Sequence, residues 1–184
     1  MEIIKAKTFF DGDTGVLKGD KISRSERRLK DMEGIFTDKD AYERMPPDTL
    51  VYKVEVHEAV KDIPGGLYFG VSHVYPGRVG HEYFMTKGHF HARRDTAEYY
   101  WGITGHGVLL FMDEKRTVWA EEIIPGSLHY IPGNIAHRLI NSGDSELTVG
   151  ACWPSDAGHD YTTIVNAGFS ARILEKNGRP EIHF

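Results

Sequence analysis

The sequence predicts an all-β domain, a jelly-roll or double-stranded β-barrel whose two antiparallel sheets enclose a central pocket, preceded by an N-terminal arm. Two observations predict it. From Leu50 onward, nine segments of strand length, alternating or continuously apolar, are separated by Gly, Pro, Asn or Asp. Twenty glycines against eight prolines, with 11% aromatic residues, favour short strands joined by tight turns over a helical bundle.

Residues 1–49 read as an arm packing on the barrel or on a partner subunit, because they are rich in charge (KGDKISRSERRLKDMEG, TDKDAYERMPPD) and poor in apolar alternation. Leu29, Met32 and Ile35 recur at near-helical spacing, and Asp38 to Arg44 predict a short helix that stops before Pro46-Pro47. Residues 50–184 form the barrel. Its strand-like segments are LVYKVEVHEAV, LYFGVSHVYP, EYFMTKGHFHA, AEYYWGIT, GVLLFMD, TVWAEEII, SLHYIP, AHRLIN and LTVGACWP. Residues 160–184 close the fold, with FSARILEKNG a strand or helix ending at Gly178.

A formal charge of −5 with dispersed basic residues offers no electrostatic footprint for nucleic acid or an anionic membrane. No apolar run approaches the roughly 18 residues needed to span a bilayer. The first residues, MEIIKAKTFFDGDTG, carry aspartates where a signal peptide would carry its apolar core, so a cytoplasmic protein is expected. Cys152 is the single cysteine, which rules out an internal disulfide and suits a reducing compartment. Between Ala151 and Trp153 it reads as a packed thiol.

His89, His91, Glu98 and His137 carry the chemistry. In an extended chain, residues two apart share a face, so His89-Phe90-His91 aims both imidazoles at one point. Adding one carboxylate gives three nitrogens and one oxygen, a set suited to Fe(II), Mn(II), Ni(II), Co(II) or Zn(II). Each segment has its own turn residues: Gly105 and Gly107 follow Glu98, while Gly126, Pro132 and Asn141 frame His137. Six further histidines, His57, His73, His81, His106, His129 and His183, read as surface or satisfied core. Arg93 and Arg94 read as solvated, and Asp156 and Asp160 as turn caps.

These positions resemble the two motifs of the cupin superfamily. The longer string TKGHFHARRDTAEYYWGITGHG, with IPGNIAHRLIN and WPSDAGHDYTTI, resembles the cupin-type phosphoglucose isomerases of archaea. RRLKDMEGIF and VYPGRVGHEYFMTKGHFH resemble segments near the start of those enzymes and before their metal site. Six residues separate His91 from Glu98, longer than the common cupin spacing but a feature of this isomerase family. Asn134 stands where a glycine is usual and can adopt the same left-handed turn. Trp153 replaces an aromatic hydroxyl, removing one hydrogen-bond acceptor.

The resemblance implies a metal-dependent interconversion of glucose 6-phosphate and fructose 6-phosphate by a homodimer with one divalent metal per subunit, Fe(II) before Mn(II), Ni(II), Zn(II) or Co(II). It places phosphate contacts at Tyr52, Ser72, Thr86 and Gly88. For the last two the residues themselves agree, since a glycine turn offers backbone N–H groups and a hydroxyl to an anion. Glu98 is the candidate base through an enediol intermediate, although a carboxylate bonded to a cation is a poor base, so a hydride shift competes. His159 and Tyr161 resemble residues lining the family's site, and Tyr100 shares a strand face with Glu98. The competing functions are a cupin dioxygenase, a non-catalytic sugar-phosphate sensor, and activity on mannose 6-phosphate.

Overall fold

The computed structural model describes residues 1–184. A short hairpin opens the chain, β1 (Thr8–Phe10) with β2 (Leu17–Gly19), followed by β3 (Ile22–Arg28), a 3-10 turn at Leu29–Met32 and helix α1 (Lys39–Arg44). Next come β4 (Leu50–His57), β5 (Leu67–Val74), β6 (Arg78–Val79), β7 (Glu82–Tyr83), β8 (Glu98–Thr104) and β9 (Gly107–Met112). The chain continues through β10 (Val118–Ile123), β11 (Leu128–Ile131), β12 (Ala136–Asn141) and β13 (Leu147–Pro154). Helix α2 (Thr162–Ala167) and the hairpin β14 (Arg172–Lys176) and β15 (Arg179–His183) complete it.

A six-stranded sheet in the order β11-β8-β13-β5-β4-β3 faces a three-stranded sheet in the order β10-β9-β12. A four-stranded sheet, β15-β14-β7-β6, closes one side. Val74, Tyr100 and Val149 of the first sheet and Leu109, Phe111 and Leu139 of the second meet in one core cluster. GVLLFM is almost wholly apolar because β9 is paired on both edges, with β10 and β12, and buried on its faces. β8 alternates instead: Glu98, Tyr100 and Gly102 turn inward, and Tyr99 is exposed on the outer face.

Eight of the nine strand-like segments form ladders close to their expected limits, whereas EYFMTKGHFHA does so only at Glu82–Tyr83. The rest runs extended, touching its neighbours through isolated bridges, Met85 to Ile140, His89 to His137 and Phe90 to Asp160. Two local features break the ladder. Gly88 has φ +73°, and the Thr86 hydroxyl takes the Leu139 N–H at 3.1 Å where a backbone carbonyl would otherwise serve. FSARILEKNG resolves as a strand that turns back through Asn177-Gly178, with φ of 53° and 78°, the torsions a tight hairpin demands.

Residues of the charged N-terminal segment enter the barrel. β3 pairs with β4 along its length, and Leu29, Met32, Ile35, Phe36 and Ala41 belong to the main core cluster. Leu29 and Met32 are fully buried, each contributing roughly 1.5–3 kcal/mol by leaving water. No helix is long and apolar enough to cross a membrane.

Candidate metal centre

His137 stands on β12, Glu98 starts β8, and His89 and His91 lie on the extended segment bridged to β12. Their ligand atoms all fall within 4.8 Å of one another. Glu98, His91 and His137 are buried, at 4%, 5% and 2% exposure. The nitrogens are oriented for ligation. His91 offers Nδ1 to the Thr96 carbonyl at 3.0 Å and His137 offers Nδ1 to the Ile135 carbonyl at 3.4 Å, which leaves Nε2 of each ring with its lone pair facing the cluster.

The donor set fits a cation on a further observation. His89 Nε2 and His137 Nε2 are buried without a hydrogen-bond partner. His137 Nε2 comes within 2.6 Å of Glu98 Oε1, yet the approach lacks hydrogen-bond directionality, as expected of two lone pairs converging on a shared centre. Glu98 Oε1 also lies 3.1 Å from His91 Nε2. Both of its contacts with these imidazoles run through Oε1, and Glu98 lines a cavity beside the cluster. Without a cation, burial opposes the Glu98 charge, but His137 and His91 in their protonated forms outweigh it and hold the carboxyl well below the usual carboxylate range. Burial, with His137 and His159 beside it, holds His89 neutral, far below the ordinary imidazole value.

The cluster opens into a cavity of about 280 Å³ lined by Tyr52, Ser72, Thr86, Gly88, His89, Glu98, Tyr100, His137, His159 and Tyr161. Thus every sequence-predicted site residue except His91 borders one space, and His91 reaches it through Glu98. Thr86 to Gly88 precede the first ligand directly. The guanidinium of Arg138, buried beneath this turn, donates from Nε and Nη2 to the Lys87 carbonyl at 3.2 and 2.5 Å. That carbonyl is thereby fixed by two donors. A Cβ on Gly88 would lie 2.7 Å from the Phe169 ring and 3.0 Å from the His137 carbonyl, so only glycine fits the turn.

On the other wall, His159 and Tyr161 stack at 12° with ring centroids 5.6 Å apart, and His159 sits edge-on to His89 at 4.4 Å. Burial keeps His159 below the ordinary imidazole value, neutral near pH 7. The same cause, with Glu98 next to it, puts the Tyr100 phenol well above its usual value, so Tyr100 acts only as a neutral donor or acceptor. Tyr52 is pushed up to about 12 by burial, with Tyr161 adding to it. Trp153 borders the cavity, packed edge-on against Tyr68.

Sequence reasoning missed the contribution of β3. Ser23, Ser25 and Arg27 face the cavity across β4, joined by Glu58, Val54 and Val56. The period-two Ser-x-Ser-x-Arg pattern was the available signal. Arg93 and Arg94 are also more than solvated: they pair with Asp156 at 2.5 Å and Asp160 at 2.6 Å and so pin the segment bearing His159. Asp160 additionally accepts the Thr163 N–H at 3.2 Å in the first turn of α2.

Residues 26–182 match the family model described as Glucose-6-phosphate isomerase (GPI). The chain is 42% identical over 171 residues to the Glucose-6-phosphate isomerase of Thermococcus litoralis, covering 92% of this chain and 88% of that protein. It is 41% identical over 174 residues to that of Pyrococcus furiosus, covering 94% and 90%. Among solved structures, the oxalate decarboxylase of Bacillus subtilis at pH 4.6 superposes on 64% of this chain and 29% of its own, with TM-score 0.47 and 20% identity. With a strand-built barrel holding three histidines and a glutamate at its centre, this chain belongs to the glucose-6-phosphate isomerase family.

Proposed function

We propose that this chain interconverts glucose 6-phosphate and fructose 6-phosphate. The observation that carries the reading is the Thr86–Gly88 turn, an anion cradle immediately before the first metal-type ligand and open to the same cavity. A phosphate held there by Thr86, Gly88, Tyr52 and Ser72 leaves the other end of a six-carbon sugar at Glu98 and His159.

His89, His91, Glu98 and His137 would hold a divalent cation, which would supply Lewis acidity to polarise the sugar's oxygens. Fe(II) is the expected metal, with Mn(II), Ni(II), Zn(II) and Co(II) as alternatives that the same donors accept. His159, neutral, takes the proton from the C1 hydroxyl of the closed sugar and returns it to the ring oxygen as the ring opens, with Tyr161 stacked on it to fix the imidazole plane. Glu98 then serves in two ways through two oxygens. Oε1 belongs to the ligand set, while Oε2 takes the C2 proton and returns it to C1 through an enediol, the O2 proton passing to O1. Tyr100 donates its phenol hydrogen to the oxygen that gains charge.

The decisive experiment strips metal with EDTA, restores Fe(II), Mn(II), Ni(II), Zn(II) or Co(II) singly, and follows fructose 6-phosphate through coupled glucose-6-phosphate dehydrogenase. Turnover restored by one or more metals is expected, and none with any metal refutes the isomerase. Oxygen consumption with substrate would point instead to the dioxygenase reading. With glucose 6-phosphate as the substrate instead, deuterium from D2O at C1 of the fructose 6-phosphate product is expected for the enediol. Its absence at early conversion, after allowance for internal return, assigns a hydride shift.

We also infer a homodimer, with residues 1–49 an arm tied to the barrel of residues 50–184. In support, the outer face of the six-stranded sheet exposes Leu67 at 58%, Tyr99 at 48%, Leu128 at 67% and Tyr130 at 54%, with Phe10 of β1 beside Phe69. Sedimentation equilibrium at twice the monomer mass is the expected result. A cytoplasmic location is in keeping with the free thiol of Cys152.

A further inference from the structure

Three arginines stand on β3, and they are not equivalent. Arg24 points outward and pairs with Glu55 at 3.1 Å, and Arg28 pairs with Glu26 at 3.0 Å. Arg27, on the opposite face by strand alternation, borders the cavity with Ser23 and Ser25. It has no carboxylate partner. Its one protein acceptor is the Glu26 carbonyl, 2.8 Å from Nη1. Glu58, an acid on the same lining, accepts from Ser23 Oγ at 2.6 Å.

Position in the ladder brings Arg27 to the anion turn. It sits opposite Tyr52, and a register shift between Arg27 and Arg28 interrupts the β3–β4 pairing there. Such an irregularity adds twist and re-aims the side chain beside it. Tyr52 in turn borders the cavity with Thr86, Lys87 and Gly88. The Arg27 guanidinium opposes the rise that burial gives the pKa of both the Tyr52 and Tyr161 phenols, which line the same cavity.

Charge balance gives this placement a purpose. A phosphate monoester carries about −1.5 to −2 charge near neutral pH. Thr86, Ser72, Tyr52 and the turn amides supply hydrogen bonds but no cation, and among the lining residues only Arg27 and Lys87 carry positive charge, set against Glu58 and Glu98. We propose that Arg27, carried into the site by the N-terminal edge strand, is the counter-charge and bidentate clamp for the sugar's phosphate group. The proposal rests on the isomerase reading and on Thr86–Gly88 as its anion turn. A guanidinium fork matches two phosphate oxygens at once, which a lysine ammonium does not. Lys87 also lines the cavity and is the internal competitor for the role.

The test compares Arg27→Gln, Arg27→Lys, Lys87→Gln and Thr86→Val in the metal-loaded enzyme. KM and kcat for fructose 6-phosphate are measured together with competitive inhibition by inorganic phosphate. A charge-assisted hydrogen bond is worth about 1.5–3 kcal/mol, so Arg27→Gln is expected to raise KM and weaken phosphate inhibition by about tenfold to a hundredfold, with kcat within about threefold of wild type. Arg27→Lys is expected to recover part of the loss. KM and phosphate inhibition unchanged in Arg27→Gln while Lys87→Gln or Thr86→Val loses both overturns the role of Arg27 and leaves the turn standing. If wild-type enzyme turns over but phosphate does not compete, and Thr86→Val is silent, the anion-turn reading fails and the proposal falls with it. Unchanged circular dichroism and melting temperature in Arg27→Gln are expected for a cavity-mouth residue. A collapsed fold in both Arg27 variants would assign it a structural role instead.

Discussion

His89 and His137 are locked together by their backbones. The His89 N–H donates to the His137 carbonyl at 3.2 Å and the His137 N–H donates back to the His89 carbonyl at 3.1 Å. Paired in this way, the two residues project to the same side, and their rings meet edge-on with centroids 4.5 Å apart. The spacing of two ligands from distant parts of the chain is therefore set by main-chain hydrogen bonds, before any side-chain torsion is chosen. That pre-organisation lets a donor set form inside a buried pocket.

It follows that removing an imidazole and removing the Glu98 charge have different consequences. His137→Ala is expected to lose bound metal, measured by inductively coupled plasma mass spectrometry, and activity in parallel. Glu98→Gln keeps three imidazoles and an amide oxygen on the pre-formed frame, so it should retain most of its metal while kcat falls by about 10²–10⁴. Equal, large metal loss in both variants would make Glu98 chiefly a ligand.

Legibility in the sequence tracked locality. The His-x-His pair could be read because alternation is a property of three consecutive residues, and the turn at Asn134 because a left-handed φ, here 64°, favours few residue types. The role of β3 could not be read this way. Apart from Ile22 its residues ISRSERR are polar, and it becomes a strand through pairing with β4, a non-local event. The partners of Arg93 and Arg94 were hidden for the same reason, since Asp156 and Asp160 arrive from beyond β13. Helix α2, six residues long, is too short for a periodic signal.

Glu55 gives a pH-dependent hold on the N-terminal hairpin. It is 6% exposed, accepts the Leu17 N–H at 2.9 Å through Oε2 and pairs with Arg24 through Oε1. Burial raises its pKa, but Leu17 and Arg24 outweigh burial and leave it below the usual glutamate value. A depressed carboxyl stabilises the fold above its unfolded pKa of about 4.3, and the contribution is lost as pH falls through the folded value. Hydrogen exchange of residues 8–19, measured relative to the intrinsic amide rate at each pH, should therefore accelerate below about pH 4.3 in wild type. In Glu55→Ala it should be fast already at pH 7, with a global cost of about 1–3 kcal/mol from the stranded Leu17 amide.

Gly88→Ala tests the turn without touching a charge. The added methyl must be fitted at φ +73° against the Phe169 ring and the His137 carbonyl. A left-handed alanine alone costs about 1–2 kcal/mol, and relief of the contacts displaces both the anion turn and the backbone partner of His89. The expected outcome is a raised KM together with weaker metal retention. A rise in KM with unaltered metal affinity would locate the displacement on the anion side of Gly88 alone.

Arg138 separates support of the anion turn from stability. It is fully buried, its donors serve the Lys87 carbonyl, it stacks on Phe169 at 4.6 Å, and burial, with Arg172 nearby, brings its pKa down to about 9. In Arg138→Met two effects oppose each other. An unpaired buried charge is removed, which is neutral to stabilising when a hydrophobic side chain fills the space, while the Lys87 carbonyl loses its donors at about 1–3 kcal/mol. These nearly cancel, so the melting temperature should shift by no more than about 2–8 °C. Activity has no such compensation, because the freed carbonyl can rotate towards the substrate phosphate and repel it. KM for fructose 6-phosphate should rise by about tenfold or more. Loss of the fold with KM unchanged in the surviving enzyme would confine Arg138 to the core.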